Sequence, residues 1–77
     1  MEIQNLVHMA NRIGEFFAAM PDRTEAIEGV ATHLKKFWEP RMRRAILAHL
    51  DSRQGEGLAD LVRDALVALR AMLAPAS

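Results

Sequence analysis

Residues 2–20 have the sequence EIQNLVHMANRIGEFFAAM, and the spacing of their apolar side chains decides the fold class. Apolar residues recur every three or four positions from Ile3 to Met20. At about 100° per residue they cover nearly half of a helix circumference, while polar residues occupy the other half. This periodicity predicts an amphipathic helix over residues 2–20 and excludes a strand in the same segment.

The helical periodicity continues through the rest of the chain and is interrupted by prolines and glycines. Asp22 and Glu25 have the spacing of a capping box at a helix start. Pro40 suits the first position of a third, short helix and predicts a bend there, and Gly55 and Gly57 mark a loop. The predicted helices are residues 2–20, 22–38, 40–51 and 57–73. We therefore predict an all-α fold, a small bundle of about four helices.

Size and composition predict one soluble domain over residues 1–77, with a frayed tail at 74–77. The 77 residues have 10 Lys and Arg against 10 Asp and Glu, and no cysteine. Without cysteine the chain has no disulfides, thiolate nucleophiles, iron–sulfur ligands or cysteine-containing zinc sites. No targeting segment is visible, and no stretch approaches the roughly 20 apolar residues that span a bilayer. The expected location is the cytoplasm.

The sequence offers no pattern typical of catalysis or of metal binding. His8, His33 and His49 each lie alone on a separate predicted helix, and no HExxH pair exists. Neither serine lies in a nucleophile elbow, and the loop glycines indicate a turn and not a phosphate cradle. We therefore predict no catalytic, cofactor-binding or metal-binding residue, and a chain that is not an enzyme.

The charge is concentrated in one segment although the formal net charge is zero. Residues 35–53 carry six basic and two acidic residues and contain the only tryptophan. Arg and Trp are enriched at interaction hot spots, so this segment is the predicted partner-binding surface. Its predicted contact residues are Lys35, Lys36, Phe37, Trp38, Pro40, Arg41, Met42, Arg43 and Arg44. Two alternatives are that both aromatic residues belong to the core, and that the basic residues form a solvated face.

The helical positions of two arginines predict the surroundings of their side chains. Arg43 falls inside the apolar arc of the third helix, where an unpaired charge is costly. It must therefore reach a carboxylate, backbone carbonyls or a partner, unless its side chain extends to water. Arg63 falls on the polar side of the last helix and is expected to face water.

The predicted first helix has more apolar surface than a few neighbours cover. We expect part of this surface to be exposed in the isolated chain, which favours a partner protein or self-association. A stripe of small residues, Ala10, Gly14 and Ala18, would let another helix approach closely. The alternative is a glycine tolerated within the helix at a cost of about 1 kcal/mol.

Two motifs carry a family resemblance. The first is NLVHMANRIG at residues 5–14, followed by Phe16 and Phe17, and the second is FWEPRMR at residues 37–43, preceded by His33 and Leu34. Together they resemble the delta subunit family of NAD-dependent formate dehydrogenases, from about residue 5 to residue 50.

The resemblance implies a small accessory subunit of a cytosolic molybdenum- or tungsten-containing complex. In such complexes a large alpha subunit, with a bis-pterin metal centre and iron–sulfur clusters, oxidises formate to carbon dioxide. Electrons then pass to an FMN-bearing subunit that reduces NAD. The resemblance implies that the delta subunit binds no cofactor itself. Its implied role is assembly, metal-cofactor insertion or stability of the alpha subunit, which is the expected partner.

Two alternatives come from other classes of protein. The first is a small nucleic-acid- or nucleotide-binding helical module that uses Lys35, Lys36, Arg41, Arg43 and Arg44. The zero net charge argues against it. The second is a self-associating structural protein, which would form a homo-oligomer when isolated.

Overall fold

The computed structural model describes residues 2–75, which form helices joined by short connections. The helices are α1 (Ile3–Phe17), α2 (Arg23–Phe37), α3 (Pro40–Arg53), α4 (Asp60–Ala68) and α5 (Arg70–Leu73). No strand occurs between residues 2 and 75, so the prediction of a small all-α bundle is confirmed. Residues 76 and 77, the end of the predicted frayed tail, lie outside the described residues.

Capping and proline geometry fix the starts of the second and third helices. The Asp22 carboxylate accepts hydrogen bonds from the backbone N–H groups of Thr24 (2.8 Å) and Glu25 (3.3 Å). These bonds satisfy two of the donors that a helix start leaves without an intrahelical partner, and they confirm Asp22 as the cap of the predicted capping box. Pro40 is the first residue of α3 and follows the extended residue Glu39, which produces the predicted bend.

The end of α3 and the following loop use left-handed backbone conformations. α3 continues to Arg53, two residues beyond the predicted end, and stops because Gln54 has a φ of 57°. Gly55 and Gly57 also have positive φ values, 68° and 90°. Glycine adopts such angles without a side-chain clash, so the predicted loop is confirmed.

The last predicted helix is divided in two. α4 begins at Asp60, later than predicted, and the backbone departs from helical geometry at Leu69, with φ −118° and ψ 31°. A short helix, α5, follows this break. Within it Leu73 is buried in the core while Arg70 points outward and pairs with Asp51. One continuous helix was predicted because apolar periodicity alone does not locate a single irregular residue.

α2 is central to the core and packs against α1, α4 and α5. Its residues Val30, Ala31 and Leu34 have no exposed surface, and Val62 and Leu66 of α4 are equally buried. None of the described helices combines the length and the apolar character needed to cross a bilayer.

The stripe of small residues on α1 is used inside the chain. Ala10 is fully buried, and a Cβ atom at Gly14 would lie 2.6 Å from Cγ2 of Val62 in α4. The close helix approach that we predicted therefore occurs, but with a helix of the same chain. Only Ala18, just after α1, is exposed and open to a partner.

Candidate protein-docking face

The residues predicted to bind a partner divide into exposed and buried sets. Trp38 is 5% exposed and Arg43 is 7% exposed, so neither lies on an open surface. This burial corrects the prediction that both residues belong to an exposed partner-binding surface. Trp38 belongs to the core, which is the alternative given above for the aromatic residues. Met42 is half-buried. Lys35, Lys36, Phe37, Pro40, Arg41 and Arg44 are exposed, and their partner-binding role remains a prediction.

Arg43 joins the ends of two helices through backbone carbonyls. Its Nε donates to the carbonyl of Trp38 (3.3 Å), and its Nη1 donates to the carbonyl of Leu73 (3.1 Å). The sequence allowed a carboxylate, backbone carbonyls or a partner protein as the group that Arg43 contacts, and the structure shows backbone carbonyls. Hydrogen bonds from an ionised donor are roughly twice as strong as neutral ones, which explains how the charge is accommodated in the interior.

Asn11 holds the connection that precedes α4. Its side-chain Nδ2 donates to the carbonyl of Gly57 (2.9 Å), and its Oδ1 accepts from the backbone N–H of Ala59 (2.8 Å). Nε2 of His49 lies 2.8 Å from the carbonyl of Glu56 in the same loop. Neither contact could be predicted from the sequence, because both partners lie in an irregular segment that periodicity does not describe.

Arg63 is not a water-facing residue, contrary to the expectation from its helical position. It is half-buried, and its Nη2 donates to the carbonyl of Leu58 (3.2 Å), while its Nη1 pairs with Asp60 (3.1 Å). The guanidinium of Arg63 lies against the loop that precedes α4, whereas Asp60 and Asp64 on the same helix are exposed. Arg63 therefore stabilises that loop.

An aromatic row lies exposed where α1 and α2 meet. The ring centroids of Phe16 and Phe17 are 5.0 Å apart, those of Phe17 and His33 6.4 Å, and those of His33 and Phe37 4.8 Å. Phe16 is 75% exposed and Phe37 is 70% exposed. These values confirm the expectation that part of the apolar face of the first helix is exposed.

The row lines two adjoining depressions that share Phe17 and His33. One has a volume of about 460 Å³ and is flanked by Arg12. The other has a volume of about 360 Å³ and is flanked by Glu28 and Lys36. We call the combined surface the aromatic groove, formed by Ile13, Phe16, Phe17, His33 and Phe37.

A glycine in α2 determines the floor of the aromatic groove. A Cβ atom at Gly29 would overlap the ring of Phe17, so the ring rests directly on the backbone of α2. The sequence contained both residues, but their contact depends on how α1 and α2 pack. The predicted contact residues did not include Gly29 or Phe17. They also did not include Ile13, Phe16 or His33.

The basic cluster, which we define as Lys35, Lys36, Arg41 and Arg44, forms no ion pair with any of residues 2–75. All four side chains are exposed. Among the described residues the ion pairs use other arginines, namely Arg23 with Asp64, Arg63 with Asp60, and Arg70 with Asp51. The positive charges of the cluster are therefore available to a negatively charged partner.

The pair between α3 and α5 shifts the pKa of both partners. Arg70 donates two hydrogen bonds to the Asp51 carboxylate, at 2.8 and 2.6 Å. These bonds, helped by the attraction of opposite charges, hold the pKa of Asp51 below its ordinary value, against a smaller opposing effect of burial. The same contacts raise the pKa of Arg70.

The histidines of the chain occupy three separate environments. His8 is exposed on α1, His33 lies in the aromatic groove, and His49 contacts the loop carbonyl described above. Within residues 2–75 no three His, Cys, Asp or Glu side chains are grouped closely enough to hold a metal ion.

These features define a small helical bundle with an open aromatic face and a basic cluster that forms no ion pair within residues 2–75. A family model described as NADH-dependent formate dehydrogenase delta subunit, FdsD, matches residues 5–66, most of the chain. The chain belongs to this family, so the resemblance carried by the two motifs is confirmed. The match continues beyond residue 50 through the loop and into α4. Comparisons with curated proteins and with solved structures find no match.

Proposed function

We propose that the chain is a non-catalytic accessory subunit of a cytoplasmic NAD-dependent formate dehydrogenase. In this proposal it binds the large catalytic alpha subunit and supports its assembly, metal-cofactor insertion or stability. The family membership supports a role within a formate dehydrogenase complex. The observation that carries the docking role is the exposure of Phe16 and Phe37 in one groove. Burying one such side chain contributes about 1.5–3 kcal/mol.

The proposal assigns the redox chemistry to other subunits. A molybdenum or tungsten bis-pterin centre, iron–sulfur clusters, FMN and NAD would be bound by the partner subunits and not by this chain. The absence of cysteine from the sequence supports this division, because iron–sulfur clusters are held chiefly by cysteine thiolates. Under this proposal the chain acts on the catalytic subunit through protein contacts alone.

Co-expression tests the proposal. The catalytic subunits are produced with and without this chain, and then purified by a tag on the alpha subunit. We expect the chain to co-purify. Without it, we expect the catalytic subunit to have less bound metal, or a lower yield and a lower melting temperature. A normal yield with low metal content indicates a role in cofactor insertion, whereas a low yield indicates a role in assembly or stability.

Two results would contradict the proposal. The first is equal yield, metal content and formate-dependent NAD reduction with and without the chain. The second is formate oxidation by the isolated chain. A variant with Val67, an exposed apolar residue outside the aromatic groove, changed to Ser serves as a co-purification control. It should behave as the parent, whereas Phe16→Ser and Phe37→Ser should co-purify less.

A further inference from the structure

We propose that the aromatic groove binds one amphipathic helix of a partner subunit, whose flanks carry Asp or Glu. The inference rests on the proposed function and specifies the chemistry of the partner segment. It goes beyond family membership, because the family description names a subunit and not a binding surface.

The shape of the groove favours a helix as its occupant. The groove lies between two packed helices, and a third helix fits such a depression by placing its side-chain ridges into it. The three centroid distances of the aromatic row, 5.0, 6.4 and 4.8 Å, limit the contact to about three turns at about 5.4 Å per turn. The part of the occupant that contacts the row is then at most about 11 residues long, with apolar anchors at helical spacing.

The charges beside the groove favour an acidic occupant. Arg12 flanks one depression and Lys36 flanks the other, and neither forms an ion pair with any of residues 2–75. Of the described residues that line the two depressions, Glu28 is the only acidic one. Carboxylates on the flanks of a bound helix would complement these groups.

A second copy of the chain fits the groove less well. A two-fold symmetric pair places the same surface patch on both sides of the interface. Groove-to-groove contact would therefore bring Arg12 and Lys36 of one copy towards the same residues of the other. Like charges at an interface oppose association, so we assign the groove to a different chain.

Photo-crosslinking tests the occupant in the assembled complex. Benzoyl-phenylalanine replaces Phe16 in one variant, Phe37 in a second, and Val67 in a third as the control outside the groove. Each variant is co-purified with the formate dehydrogenase subunits and irradiated, and the crosslinked peptides are sequenced by mass spectrometry. We expect the two groove variants to label one partner peptide with apolar residues at helical spacing and an excess of Asp and Glu. The control should not label that peptide.

The outcomes separate this inference from the proposed function. If no variant, including the control, co-purifies with formate dehydrogenase, the proposed function fails and the inference fails with it. If the complex forms but the groove variants label nothing, only the inference fails. Labelling of a second copy, of a basic peptide or of two unrelated peptides also overturns the inference.

Charge reversal provides a second, independent measurement. We expect the double variant Arg12→Glu and Lys36→Glu to bind a complex lacking this subunit about 10- to 100-fold more weakly than the parent does. The control is Arg53→Glu, which reverses one charge where the double variant reverses two. Arg53 is exposed, lies outside the groove and forms no ion pair with a described residue. The binding of the double variant should also depend less on salt concentration. An effect no larger than that of Arg53→Glu would contradict an acidic occupant.

Discussion

Replacing Arg43 with methionine tests what the buried guanidinium contributes. Methionine keeps a long apolar side chain in the core but removes the hydrogen bonds to Trp38 and Leu73. Two bonds from a charged donor, at about 1.5 kcal/mol each, amount to about 3 kcal/mol. Removing a desolvated charge offsets about 1 kcal/mol of this loss. We therefore expect the free energy of unfolding to fall by about 2 kcal/mol.

Urea denaturation followed by circular dichroism measures this loss. With a slope of about 1 kcal/mol per M, the midpoint should fall by about 2 M. The matched control is Arg41→Met, an exposed residue two positions away, which should change stability by less than about 0.5 kcal/mol. Arg43→Lys can still donate to one of the two carbonyls, so its free energy of unfolding should lie between those of Arg43→Met and Arg41→Met. If Arg43→Met is as stable as Arg41→Met, the two hydrogen bonds do not stabilise the fold and our assignment is refuted.

Three further changes test contacts between the helices. Gly14→Ala should lower stability by about 1 kcal/mol, because overpacking against Val62 costs about 2 kcal/mol and the better helix propensity of alanine returns about 1 kcal/mol. The substitution should no longer lower stability in a Val62→Ala background, where the methyl group has room. Asn11→Asp keeps the side-chain oxygen but loses the amide N–H that donates to the carbonyl of Gly57. Its free energy of unfolding, measured by urea denaturation, should be lower by about 1 kcal/mol. Arg70→Gln should raise the pKa of Asp51 towards its ordinary value, as measured by NMR titration.

The sign of the pH effect follows from the lowered pKa of Asp51. The stabilisation from its pair with Arg70 is complete above the pKa of the unfolded carboxyl group. It is lost as the pH falls through the lower pKa of the folded chain. An unchanged pKa in Arg70→Gln would contradict this pairing. Equal stability of Gly14→Ala and the parent would show that the Val62 side chain moves aside freely. If Asn11→Asp has the same free energy of unfolding as the parent, the hydrogen bond that the Asn11 side chain donates does not stabilise the fold.

The fold could be predicted from the sequence because its signals are local. Apolar periodicity, the cap at Asp22 and the proline at Pro40 act within a few residues, and the structure follows each of them. The sequence contains no such local signal for the break at Leu69. It changes the backbone of a single residue inside an otherwise periodic segment.

The candidate docking face was harder to predict because exposure depends on contacts distant in sequence. Arg43 was correctly recognised as a charge in an apolar arc, but one of its acceptors lies 30 residues away, at Leu73. The aromatic groove combines side chains of α1 with side chains of α2. Before the packing is known, Phe16 and Phe37 look like ordinary members of apolar helix faces. Composition identified the basic segment but not the surface that adjoins it.

The buried guanidinium of Arg43 also affects how the molecule meets other molecules in solution. Its acceptors are uncharged carbonyls, so they leave its full positive charge in place. The exposed charges of the basic cluster and this interior one together produce a positive field that speeds the diffusional encounter with an acidic surface. We expect the encounter rate to fall as salt is added, because dissolved ions screen the field that reaches an approaching partner from exposed and buried charges alike.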